Sequence, residues 1–169
     1  MKKFLFLTLM LGCLFTVFNA SAQMKGKRPS PPDTVKGTIK GTAIEVAYSQ
    51  PSIKGRTVGK EIAPWGKVWR TGANEETTIS FSKDVTLEGK ALPAGKYSLW
   101  TIPGETEWVI IINKKTGEWG TKYDEASDVF RVTVKTLKTD AAVEQLKFAV
   151  KKDNVAFAWG NYAVAFKIK

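Results

Sequence analysis

Apolar and polar residues alternate with a period of two through most of this chain, and that pattern limits its fold more than any other feature. Ile44, Val46 and Tyr48 alternate with Glu45, Ala47 and Ser49, and Phe130, Val132 and Val134 alternate with Arg131, Thr133 and Lys135. The pattern returns at Leu146-Phe148-Val150, at Val155-Phe157-Trp159 and at Tyr162-Val164-Phe166-Ile168. Successive side chains of a strand point to opposite faces, so each run has one face to bury and one for water. Trp108 to Ile112 is apolar on both faces, which predicts a central strand covered on both sides. Turn residues interrupt the runs at Gly89-Lys90, Pro93-Ala94-Gly95, Pro103-Gly104, Asp153-Asn154 and Gly160-Asn161, the last suited to a type II′ hairpin. No stretch carries a helical apolar stripe, and Lys60 to Ala63, stopped by Pro64, makes one turn at most. The chain is therefore expected to be all-β, an antiparallel β-sandwich or jelly-roll-like barrel of about nine or ten short strands.

The N-terminus reads as a secretory signal over residues 1–22. Lys2 and Lys3 give the basic start, Phe4 to Phe18 the apolar stretch, and Ala20-Ser21-Ala22 a small-residue cleavage site. Asn19 and Ser21 cut the apolar run short of a transmembrane span. Met10-Leu11-Gly12-Cys13 loosely resembles a lipidation box, but Leu14 to Phe18 stays apolar where a lipoprotein tether is polar. Cleavage near Ala22 leaves 147 of the 169 residues, exported to the periplasm or secreted, about one domain in size. Residues 23–34, basic and rich in proline, are expected to form a tether, and residues 35–169 a single β-sandwich domain.

The sole cysteine leaves with the signal, so no disulfide framework supports the fold. Without Lys2 and Lys3 the 26 basic residues become 24 against 16 acidic ones, a formal charge of +8. Such a protein favours an anionic envelope surface over nucleic acid, which is not expected where the chain is exported. Histidine is absent, which removes the Ser-His-Asp triad, His-ligated zinc and the usual general base near neutral pH. No cofactor is implied by any motif.

The densest chemistry lies between Tyr48 and Glu75. Arg56, Lys67, Arg70, Asn74 and Glu75, with Lys54 nearby, could share a pocket walled by Tyr48, Trp65 and Trp69. If Trp69 packs inward, alternation sends Arg70 to the opposite face, and the Gly72-Ala73-Asn74 bend returns Asn74 and Glu75 toward Arg56. Arg binds planar anions bidentately, so the group suits a small anionic or carbohydrate ligand, with Glu75 as counter-charge to the arginines. The plainer reading is a structural network in which Arg56 or Arg70 pairs with Glu75 and caps loop carbonyls.

Tyr48-Ser49-Gln50-Pro51-Ser52, Lys54-Gly55-Arg56, the string from Trp69 to Glu75, and Leu92 to Leu99 with Ile102-Pro103-Gly104 and Trp108 together carry a resemblance. They resemble the bacterial exported family catalogued as domain of unknown function 2911, over about Val35 to Ile168. The resemblance implies an exported protein and implies no activity, substrate, cofactor or catalytic residue.

Other constellations carry less. Glu75 and Glu76 are adjacent on a strand and point apart, so a carboxylate-dependent glycan hydrolase would need a distant partner such as Glu45 or Asp84. Ser80-Phe81-Ser82-Lys83 and Lys115-Thr116-Gly117 imitate penicillin-binding motifs, but the first reads as a strand rather than the helix that chemistry requires. Asn113, Glu118, Asp124, Glu125 and Asp128 lack the ordered calcium-loop spacing and read as loop caps, so no metal is expected. Trp69, Trp108 and Trp159 are expected in the core, while Trp65, Trp100 and Trp119 lie nearer turns, where an exposed ring could stack on a sugar. The expected function is non-catalytic binding of an anionic or carbohydrate ligand. The alternatives are a glycan hydrolase or a structural module of the cell envelope.

Overall fold

The computed structural model describes residues 28–169. The expected signal and the first part of the tether lie outside the described residues. The rest is all-β and antiparallel, with no closed barrel. The chain order is β1 (Pro32–Ile39), β2 (Thr42–Ser49), β3 (Thr78–Phe81), β4 (Val85–Leu87), β5 (Lys90–Leu92), β6 (Gly95–Ile102), β7 (Glu107–Asn113), β8 (Asp128–Lys135), β9 (Leu137–Val150) and β10 (Asn154–Lys167). A six-stranded sheet runs β1-β2-β3-β6-β7-β8, β9 pairs with β10, and β4 pairs with β5.

The alternating runs place one apolar face of the large sheet against the β9–β10 hairpin. Ile44, Val46, Ile79, Leu99, Ile110 and Ile112 from the sheet share a core with Leu146, Phe148, Val155, Phe157 and Val164 from the hairpin. Tyr48 meets Phe148 edge-on at 4.7 Å, and Trp108 meets Phe157 at 5.3 Å. Gly37 has no side chain because a Cβ there would sit 2.6 Å from Val150 Cγ1, where the hairpin tip crosses β1.

β7 is covered on both faces. Ile111, which faces away from the hairpin, is fully buried beside Trp100. The loop after β7 closes over this second face: the Trp100 ring lies 5.1 Å from Tyr123, and Ser98 Oγ donates to Lys115 O at 2.7 Å. In the same loop Asp124 caps a 3-10 turn at Glu125–Ser127, and Asn113 donates to Asp124 O and Asp128 Oδ1.

Two expectations change. Gly160-Asn161 is not a hairpin turn, because both residues lie inside the 14-residue strand β10. The large buried side chains fall on odd positions up to Trp159 and on even positions from Val164 onward, so the phase is reset between them. Gly160, in the left-handed region at φ 60°, sits between two register shifts against β9, whose surplus residues bow out opposite it. β9 and β10 are also longer than the short strands expected. The second change is at the N-terminus. β1 starts at Pro32, inside the stretch read as tether, because Asp33 and Val35 pair with Tyr48 and Val46.

Candidate functional site

The segment after Trp69 is a series of bends rather than a strand. Trp69 is fixed by reciprocal backbone bonds with Thr101 at 2.7 and 2.9 Å. Its indole stacks on Trp159 (5.3 Å, 9°) and meets Trp108 edge-on at 6.1 Å. Thr71 then turns left-handed at φ 54°, an uncommon conformation for a β-branched residue, and Asn74 does the same at φ 59°. Thr71 is fully buried, and its hydroxyl lies 3.1 Å from that of Thr101 while Thr77 donates to its carbonyl. Strained backbone held by buried hydrogen bonds is a recurrent property of binding sites.

The bends bring Trp69, Arg70 and Asn74 to one cleft of about 400 Å3, together with Arg56, Ser30 and Trp159. Strict alternation would send Trp69 and Arg70 to opposite faces, yet both line this space. Arg70 is half-buried, and its stem lies on Gly120. One guanidinium nitrogen donates to Gly120 O at 3.3 Å, whereas the buried Nε has no acceptor among the described residues. Nor does any carboxylate there form an ion pair with Arg70. Burial alone lowers the pKa of its guanidinium. Trp159, only 3% exposed, also lines the cleft and also carries an indole N–H without an acceptor. Both residues line the cleft, with these two nitrogen atoms buried beneath its surface. Leaving a cation unpaired in such a place costs several kcal/mol unless an acceptor arrives.

The other expected residues divide. Arg56 lines the cleft, but its guanidinium caps its own loop, donating to Ile53 O at 3.0 Å and Ser52 O at 2.7 Å. Asn74 donates to Ser30 O at 3.1 Å, which ties the N-terminal segment to the cleft as a wall. Glu75 is not the counter-charge of the arginines in the cleft: its carboxylate pairs with Arg28 at 2.7 Å. Tyr48 is a core residue, 4% exposed, whose hydroxyl donates to Asp33 and accepts from Phe148 N. Lys54 and Lys67 are exposed and line neither this cleft nor its neighbour. Trp100 is buried rather than exposed near its turn, and among the described residues only Trp119, at 50%, is an exposed tryptophan.

A neighbouring cleft of about 350 Å3 is acidic, lined by Asp33, Glu75, Glu76 and Glu118 with Lys96. Glu76 is only 8% exposed and accepts from Gly117 N. Burial raises its carboxyl pKa above the usual value, against the pull of the Gly117 and Glu118 amides, and the Glu118 charge adds to the rise. Ser30, Gly120 and Trp159 were not among the expected site residues, and Glu76 was considered only as half of an adjacent carboxylate pair. Of these only Gly120 carried a local signal, a glycine after a tryptophan that permits a close approach.

Residues 30–168 match the family model described as a protein of unknown function (DUF2911). Neither the curated proteins nor the solved structures yield a match. Since the family model spans all but the ends of the described domain, the chain belongs to the family of unknown function DUF2911.

Proposed function

We propose that this protein is an exported, non-catalytic β-sandwich that binds a small anionic or carbohydrate ligand in the Arg70 cleft. The signal-like residues 1–22 support export, with the mature chain in the periplasm or secreted. The observation that carries the binding reading is the half-buried Arg70 guanidinium, which meets no carboxylate among the described residues and leaves Nε without an acceptor. A carboxylate or phosphate entering the cleft offers Arg70 the anionic partner that it lacks among the described residues. Arg56 adds positive potential without offering its full set of donors, and Asn74 is held by Ser30.

The test is calorimetric titration of the protein with a panel of carboxylates, uronates and phosphates, repeated on Arg70→Ala. Binding of one class, weakened about tenfold to a hundredfold in the variant, is the expected result. Equal affinity for wild type and variant would remove Arg70 from the site.

A second reading rests on Glu76. A buried carboxyl with a raised pKa, beside Glu75, Glu118 and Asp33, has the character of a general acid in glycan hydrolysis. Release of reducing sugar by the wild type and not by Glu76→Gln would favour it over simple binding.

A further inference from the structure

Four connections and the residues that end β10 meet at one end of the sandwich and are rich in lysine. Lys40 sits in the β1–β2 turn, and the Lys83 ammonium lies 3.7 Å from where a Cβ on Gly41 would be. The β9–β10 tip reaches the same end, since Val150 covers Gly37 and the tip carries Lys151 and Lys152. Ile168 N donates to Asp153 O at 2.9 Å, which brings the last residues alongside that tip. Glu88 N then bonds Lys167 O, Lys169 N bonds Thr86 O, and Lys90 pairs with Leu87. Each of these lysines is exposed.

Among the described residues none of them forms an ion pair, whereas Lys36, Lys115 and Lys122 elsewhere do. The acids at this end are engaged differently. Asp84 accepts from Ala94 N, Glu88 from Lys167 N, and Asp153 from Asn154 Nδ2. The result is a pole whose cations outnumber its acids and whose acids serve backbone and turn geometry.

We propose that this lysine pole docks the protein onto an anionic phospholipid bilayer. The cations project from separate turns with no exposed aromatic among them, since Val68, Trp119, Val129 and Leu137 are the exposed large apolar residues described and lie elsewhere. Arginine, the residue that reads phosphate bidentately, is absent from the pole, as are rings on which bases or sugars could stack. Lysines without such partners act as point charges, which suits a diffuse negative surface better than a shaped polymer. The geometry also matters for the cleft. Ser30 precedes β1 and Lys40 follows it, so the Arg70 cleft and the pole stand at opposite ends of a strand roughly 25 Å long. A docked molecule presents its cleft away from the bilayer.

The experiment is sedimentation with phosphatidylcholine vesicles, with and without about 30% phosphatidylglycerol, at low and high salt. Three proteins are compared: wild type, Lys83→Glu with Lys152→Glu at the pole, and Lys60→Glu with Lys67→Glu away from it. All three are expected to melt alike. Wild type and the second variant should bind only the anionic vesicles, less so in high salt, and the pole variant should bind at least about 25-fold more weakly. Equal losses in both variants would mean net charge rather than a pole, and would overturn the proposal. So would binding to a soluble polyanion such as heparin or duplex DNA with the vesicles ignored, or no anionic preference at all.

Discussion

Gly120 lies directly beneath Arg70, its carbonyl accepting from the guanidinium at 3.3 Å while the arginine stem occupies the space a Cβ would fill. The same imaginary Cβ would sit 2.7 Å from Asn74 O, so the loop after β7 and the bend after Trp69 meet without room for a side chain. Gly120→Ala should therefore push Arg70 out of register, costing about 1–3 kcal/mol of stability and weakening any anion response. Denaturant unfolding and a ligand-dependent melting shift, measured on the same variant, check both parts. A stable variant with intact binding would detach Arg70 from its platform.

Trp69 stacks on Trp159 and meets Trp108 edge-on, so it joins the large sheet to β10. Trp69→Ala is expected to cost about 3–5 kcal/mol, as large aromatic truncations in cores do. Trp119→Ala, at a half-exposed ring, should change stability by less than about 1 kcal/mol. Urea denaturation of the two variants separates the roles, and similar midpoints would contradict them.

Much of this was visible in the sequence, for physical reasons that also explain the failures. Alternation finds strands because burial of one face acts locally, and it placed Val132 and Val134 of β8 and the doubly covered Ile110 to Ile112 of β7. The crowding of cations, an amide and tryptophans separately drew attention to Arg56, Trp69, Arg70 and Asn74, which line one cleft. Alternation failed at Gly160, where a glycine at positive φ makes a bulge or a turn according to what the partner strand does. That choice depends on β9, which lies at another place in the chain. Alternation put Tyr48 on the buried face, but it did not reveal the use of its hydroxyl by Phe148 N far along the sequence, nor the pairing of Glu75 with Arg28 in the segment read as tether. Long-range pairing decided each of these.

Tyr48→Phe should isolate that pairing. The ring keeps its contact with Phe148, but the buried Phe148 N–H loses its acceptor and Asp33 loses a donor. A cost of about 1–3 kcal/mol is expected, measured by chemical denaturation. A neutral substitution would show that water replaces the hydroxyl.

Glu76 gives the fold a pH dependence of defined sign. Its folded pKa is raised by burial, so the folded state keeps the proton over a range where the unfolded chain has lost it. That contribution is complete below the unfolded value of 4.5 and is lost as the pH rises through the folded pKa. Relative to Glu76→Gln, the wild type should therefore lose melting temperature as the pH is raised from 4.5 toward neutrality. Parallel curves for the two proteins would contradict the burial of this carboxyl.

The central claim is that Arg70 serves a ligand and not the fold, and its most direct test is the stability of Arg70→Met. Methionine keeps an apolar stem over Gly120 and removes the half-buried charge that no described carboxylate offsets. The unfolding free energy of the variant, from denaturant titration, is expected to equal or exceed that of the wild type within about 1 kcal/mol. Anion binding should weaken about tenfold to a hundredfold in the same preparation. A loss of several kcal/mol would make Arg70 a structural residue and contradict the claim.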